Sequence, residues 1–306
     1  MAKTRFIEHK PEPHGHHEHP DPELRPKAVK RLQITFLIGF GLFFIEAIGS
    51  WFSHSLALLA DSFHVLADLG AVGITLLATY LAERPQTSRR SYGYYRLEVL
   101  AALFNGVLLF ALALFIMNSA YRRLLSPHEI ESGLMFWVSI FGLMINLGML
   151  FVLRPSHSHN LNLRAAYLHI LGDTVSSVTV MVSAALIFIL GLNWIDAAAG
   201  MFVALIIMFM SGRLTWDSIH VLLEGTPKHM DPDLIEDVLR SAFPQIVNIH
   251  DFHIWEITAH LFAMTAHVEA NVQSLEETRL LIDGMNALIK EKYGIGHTTF
   301  QVETYL

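Results

Sequence analysis

Six long apolar runs separated by short polar joints fill the first two thirds of the chain, at approximately 32–53, 56–81, 98–120, 134–153, 165–190 and 194–214. A membrane-spanning helix needs roughly 20 mostly apolar residues, and each run qualifies. The joints are Ser53-His54-Ser55, the arginine-bearing 83–96, then 121–132, 154–164 and the break Gly191-Leu192-Asn193. Beyond about residue 214 the pattern changes. Asp231 followed by Pro232 reads as a helix N-cap and first helical position. Residues 246–258 and 260–270 read as strands, and in the second Phe262, Met264, Ala266 and Val268 alternate against Leu261, Thr265, His267 and Glu269. Ser274 and Glu277 form a capping box for a second helix that stops near Gly294. Thr298, Phe300 and Val302 alternate in a closing strand. The order α-β-β-α-β predicts a small sheet with helices on one face. The fold expected is a membrane α-helical protein with six transmembrane helices, followed by an α+β domain. The divisions are a tail at 1–31, a transmembrane domain at 32–214 and a C-terminal domain at 215–306.

Composition supports this division. The 306 residues are 53% hydrophobic and only 16% charged, below the 25% or so of soluble domains. No cysteine is present, which excludes disulfides, thiolate metal sites and a cysteine nucleophile. From Arg213 onward six Lys and Arg face fourteen Asp and Glu, so this last part reads as acidic and soluble. Its marginal core is expected to lean on a second copy. Lys and Arg cluster in the joints on one side, Arg84, Arg89, Arg90, Arg96, Arg154 and Arg164 among them, against Arg122 and Arg123 on the other. Both termini are therefore expected in the cytoplasm. The polar, proline-rich N-terminus does not resemble a cleavable signal peptide. The tail HKPEPHGHHEHPDPELRP is expected to be disordered. Its histidines, interrupted by Gly15 and Glu18, read as a native metal-collecting tail rather than a tag.

Charge inside a membrane span is costly and marks function by default. The second run contains LLADSFHVLAD, in which Asp61, His64 and Asp68 share one helical face. The fifth contains LHILGD, which places His169 four residues before Asp173. HxxxD thus occurs in two separate apolar segments. Residues four apart face the same way, so two packed helices offer two imidazole nitrogens and two carboxylate oxygens to one point. That tetrahedral set suits Zn²⁺, with cobalt and cadmium as plausible passengers. Four protein ligands leave no open position for a catalytic water, and no HExxH helix is present. Transport fits better than catalysis.

Four phrases together resemble the cation diffusion facilitator family over residues 32 to 303: SLALLADSFHVLAD, YGYYRLEVLAAL, LHILGD and VNIHDFHIWEI. The resemblance implies a homodimer of six-helix protomers with a cytosolic ferredoxin-like domain, exchanging cytosolic divalent metal for protons. The family's transport ligands fall on His64, Asp68, His169 and Asp173, and a histidine at position 64 leans towards zinc over cadmium. Members with a cytosolic zinc site have ligands at positions matching His250, His267 and His297; an acid usual in them two residues after the last is Thr299 here. Zinc is thus expected as substrate and as a regulator of the soluble domain. Arg96 and Asp217 resemble oppositely charged positions that clamp protomers together. The joint ERPQTSRRSYGYYR lacks the histidines and acid of an extra zinc site, and His157 and His159 offer a weak metal feed.

Asp61 reads as a relay or an outer acid beside His64, and Glu46, Asn105 and Asn146 as polar groups bridging helices. His220, His229, His253 and His260 read as structural. Metal needs neutral imidazole and ionised carboxylate, so protons compete for the same atoms. The expected function is proton-coupled efflux of divalent metal, Zn²⁺ first, by alternating access. The partners are divalent metal, protons, lipid and a second copy of the chain, with no nucleic acid, and the location is a membrane, the bacterial inner membrane first. The rival readings are a metal-dependent intramembrane enzyme and a non-transporting zinc sensor.

Overall fold

The computed structural model describes residues 24–82, 92–126, 128–152, 161–258 and 261–304; for 24–32 and 161–172, among others, the backbone alone is described. The described residues start with six long helices: α1 Leu24–Ser53, α2 Leu56–Ala82, α3 Arg96–Leu125, α4 Ser132–Val152, α5 Leu161–Leu190 and α6 Trp194–Leu222. Five contain windows long and apolar enough to cross a membrane, and the apolar stretch described in α4 is shorter, Ser132–Gly148. Leu37, Phe104, Phe115, Phe188 and Phe209 lie exposed on the outside of the bundle. Such a surface suits lipid rather than water. Exposed Trp51, Tyr121, Trp137 and Trp194 gather where α1 and α3 end and α4 and α6 begin, the placement of an interfacial aromatic belt.

The largest differences from the sequence expectation lie at two boundaries. Helix α1 begins at Leu24, inside the stretch expected to be disordered tail. Pro26 falls in its first turn, where a missing N–H removes no hydrogen bond, and the Lys- and Arg-rich residues after it favour helix. Helix α6 runs eight residues past 214, because nothing in Trp216–Leu222 breaks it. The earlier tail, most of the 83–96 joint, and His157, His159 and His260 lie outside the described residues.

After α6 come α7 Pro232–Ala242, β1 Ile246–Thr258, β2 Leu261–Ala270, α8 Leu275–Tyr293 and β3 His297–Thr304. The helix ends form as their sequences dictate. The Asp231 carboxylate accepts from the Asp233 N–H, the Ser274 hydroxyl accepts from the Glu277 N–H, and Gly294 closes α8 at φ 70°. The capping box closes one residue early, since the Glu277 carboxylate accepts from the Gln273 N–H rather than from Ser274. The sheet order is β1-β2-β3, antiparallel between β1 and β2 and parallel between β2 and β3. Phe262, Met264, Ala266 and Val268 point into a core shared with Ile235, Leu239, Leu281, Met285 and Ile289 of the two helices. His267 and Glu269 are left on the other, half-exposed face.

Candidate metal centre

Helix α2 packs between α1, α3, α5 and α6. It delivers Asp61, His64 and Asp68 to one face, as the three- and four-residue spacing requires. Across from them α5 presents Asp173. His64 Nε2 lies 2.9 Å from Asp173 Oδ1, and both residues are buried. One ligand atom each from His64, Asp68 and Asp173 falls within 4.8 Å of the others, the spacing a single cation can bridge. His169 stands one turn before Asp173 on α5, and its side chain lies outside those described. The duplicated HxxxD therefore does converge: two of its members touch, and a third joins them.

Three small groups hold this arrangement. Ser176 and Ser177 donate their hydroxyls to Asp61 at 2.6 and 3.2 Å, and the Asn146 amide donates to Ser177 at 3.0 Å. Asn146 thus bridges helices as expected, tying α4 to α5 and through it to α2. Asn105 of α3 packs against Gly70, where a Cβ would come within 2.5 Å of its amide, so a larger residue there would displace the Asn105 side chain. Glu46 departs from expectation: it is fully buried on α1, and among the described residues neither carboxylate oxygen has a hydrogen-bond partner.

Sequence reasoning passed over Asp196, in the first turn of α6. Its buried carboxylate accepts from the Ser55 hydroxyl at 2.5 Å and from the backbone N–H groups of Leu56 and Ala57 at 2.7 and 3.1 Å. It caps α2 from another helix. Arg123 lies 3.6 Å from the same carboxylate and donates to the His54 carbonyl. The available signal was an acid at the edge of an apolar run, just after the break Gly191-Leu192-Asn193.

The second cluster lies on the open face of the sheet. His250 and His267 are directly paired across β1 and β2, with ring centroids 5.2 Å apart. An extra residue enters β1 between His250 and His253, and Asp251 takes the left-handed conformation at φ 51°, which aspartate tolerates better than most residues. The third member is Glu303 of β3, whose Oε1 is 3.0 Å from His267 Nδ1 and whose Oε2 is 3.9 Å from His250 Nε2. His267 lies opposite Gln301 and His297 opposite Ala263, four residues away along the strands, or about 13 Å. Within the protomer, then, Glu303 rather than His297 completes the group of three.

Arg96 and Asp217, expected as a clamp between protomers, each find partners inside the protomer. Arg96 bonds Glu224 at 2.6 Å, while Asp217 pairs with Lys228 and lies 3.8 Å from Arg213. His220 contacts the Thr226 carbonyl, His253 contacts Asp251, and His229 packs on Phe262, consistent with structural roles.

Comparison with known proteins gives the same two-part division. Residues 32–223 match the family model for the cation efflux transmembrane domain, and 227–305 match that for the cation efflux protein cytoplasmic domain. The "Cadmium, cobalt and zinc/H(+)-K(+) antiporter" of Bacillus velezensis is 37% identical over 90% of this chain and 88% of that protein. The "Metal cation efflux system protein CzcD" of Cupriavidus metallidurans is 38% identical over 94% and 90%. The "Zinc transporter ZitB" of Escherichia coli is 34% identical over 90% and 87%. With both parts matched in order and relatives aligned over nearly the whole length, this chain belongs to the cation diffusion facilitator, or cation efflux, family.

Proposed function

We propose that the protein exports Zn²⁺ from the cytosol in exchange for protons, by alternating access, with Co²⁺ and Cd²⁺ as secondary substrates. One observation carries the reading: a buried imidazole–carboxylate contact between α2 and α5, with Asp68 beside it, inside a bundle of apolar helices. A soluble protein has little reason to bury ligating groups behind so much exposed apolar surface. The names of the relatives, zinc transporter and cadmium, cobalt and zinc antiporter, point the same way.

His64, Asp68 and Asp173 hold the metal, with His169 as the fourth ligand. The contact between His64 Nε2 and Asp173 is what a metal ion must replace, because both atoms offer it a lone pair. A proton on the imidazole blocks the same lone pair, so protons entering from outside displace zinc there. Asp61, held by two serine hydroxyls, relays or balances charge next to this exchange. Full occupation by four protein ligands leaves no water to activate, which separates this centre from a hydrolase.

The remaining assignments belong to the same reading. All six long helices span the membrane, of the bacterial inner membrane type, with both termini in the cytoplasm. The C-terminal domain is ferredoxin-like and joins two copies into a homodimer. There His250, His267 and Glu303 bind zinc as a regulator of the transporter, outside the conduction path.

The test is zinc flux in proteoliposomes under an inward proton gradient. Alanine at His64, Asp68, His169 or Asp173 is expected to abolish flux in protein that remains folded. Normal flux in both Asp68→Ala and Asp173→Ala rejects the site, and a wild type that binds zinc without moving it favours a sensor.

A further inference from the structure

Glu46 has no role in the exchange just described. It is the single ionisable residue of α1 between Arg31 and Ser53. Its side chain is 0% exposed, and neither oxygen has a hydrogen-bond partner among the described residues. The carboxyl is pressed against α4 at Gly142, where a Cβ would stand 2.5 Å from Oε1, with Leu42 beside the same spot. Of the elements packed on α1, α4 carries no titratable residue at all, and α2 contributes Asp61, whose field reaches Glu46.

A carboxylate cannot keep its charge cheaply in such a place. With no donor, no cation and no water-exposed edge, it is neutralised instead. A metal ion is a poor neutraliser here, since hard cations gather six or more oxygens and no polar group among the described residues is in hydrogen-bond contact with Glu46. A proton needs none. The two buried acids also differ in their surroundings: Asp61 receives two hydroxyl hydrogen bonds, whereas Glu46 receives none among the described residues.

We propose that Glu46 is a proton-carrying carboxyl of the transporter, separate from the protons that compete directly for the metal ligands. The arrival of two positive charges at the metal centre makes a nearby negative charge less costly, so the proton leaves Glu46 when metal binds. It returns when metal leaves. The carboxyl thereby adds a proton to each exchange cycle. This deepens the antiport reading above and rests on it for the coupling, though not for the protonated state.

Two measurements on the full-length protein in detergent test it. Zinc is titrated calorimetrically into wild type and Glu46→Gln in buffers of different ionisation enthalpy, which counts protons released per zinc. The variant is expected to bind zinc with that count lowered by about one. An unchanged count overturns the proposal. The second is infrared spectroscopy of metal-free wild type, unlabelled and with ¹³C-glutamate, near neutral pH. A protonated-carboxyl band that moves with the label is expected, and its absence overturns the proposal even where Glu46→Gln fails to fold. A wild type that binds no zinc refutes the metal centre instead, and the infrared result still decides on Glu46.

Discussion

His64 stands where α2 meets α5, and its choice of imidazole over carboxylate is the residue-level feature with the clearest consequence. Imidazole suits zinc, while a carboxylate at the same point removes one of the set's two nitrogens and adds a third oxygen. His64→Asp is therefore expected to raise the ratio of cadmium to zinc transported in proteoliposomes. An unchanged ratio in an active variant removes His64 from selectivity. Its neighbour Asp61 shows how a buried acid is accommodated: Ser176 and Ser177 each donate to it, and Asn146 orients the second serine. Glu46, a turn deeper in α1 than Ser50, has no such donors. Glu46 is the lone acid of its apolar run and Asp61 shares its run with His64 and Asp68, but neither sequence shows which acid will find donors.

Among the elements, the start of α2 is the most constrained. A helix leaves its first four N–H groups without partners, and in a membrane bundle these are costly to bury. Here Asp196 of α6 supplies the missing acceptor for Leu56 and Ala57 and also receives Ser55. The bond fixes α2, and hence His64 two turns on, relative to α6. Asp196→Ala takes the acceptor from three buried donors, the Ser55 hydroxyl and the N–H groups of Leu56 and Ala57, at about 1–3 kcal/mol each. The expected outcome is a lower melting temperature in detergent together with weakened zinc binding, because the helix that carries three of the site residues loses its anchor. A variant that melts like wild type would assign the α2 terminus to other contacts. In the C-terminal domain the N-caps at Asp231 and Ser274 did form as read, since caps depend on neighbours in sequence, although Glu277 reaches Gln273 instead of completing the box at Ser274.

At the scale of the whole molecule, polar contacts among the described residues join the two parts, one part-buried and one exposed. Thr258 at the end of β1 donates to Glu98 in the first turn of α3, and Arg96 reaches Glu224 just after α6. Exposed ion pairs of this kind contribute little each, so the C-terminal domain is free to respond to its own ligand. In the regulatory role proposed, zinc at His250, His267 and Glu303 stabilises whichever arrangement holds it better, and shifts the balance only by that difference in affinity. In the full-length protein, zinc is expected to raise the melting temperature of the C-terminal domain, and His267→Ala with Glu303→Gln to remove the rise while flux persists. His297→Ala is expected to leave the rise intact. The reverse ranking of Glu303 and His297 would return the site to His250, His267 and His297, and complete loss of flux in the folded double variant would put the cluster on the transport path.

The apolar runs, the polar breaks between them and the two HxxxD pairs are local facts, and from them the sequence by itself determined the helical membrane part, the α-β-β-α-β domain and the residues His64, Asp68 and Asp173. Periodicity works at this range because side chains three or four apart on a helix must share a face whatever the helix packs against. Only the tertiary structure decided what depends on contacts across the chain. It set the pairing of β2 with β3, and that register put Glu303 rather than His297 beside His267. It turned Asp196 into the cap of a distant helix, and it left Glu46 buried with no partner while Asp61 gained two. Each of these turns on which groups surround a side chain, and a carboxylate in an apolar run reads the same in sequence whether donors or a glycine will face it.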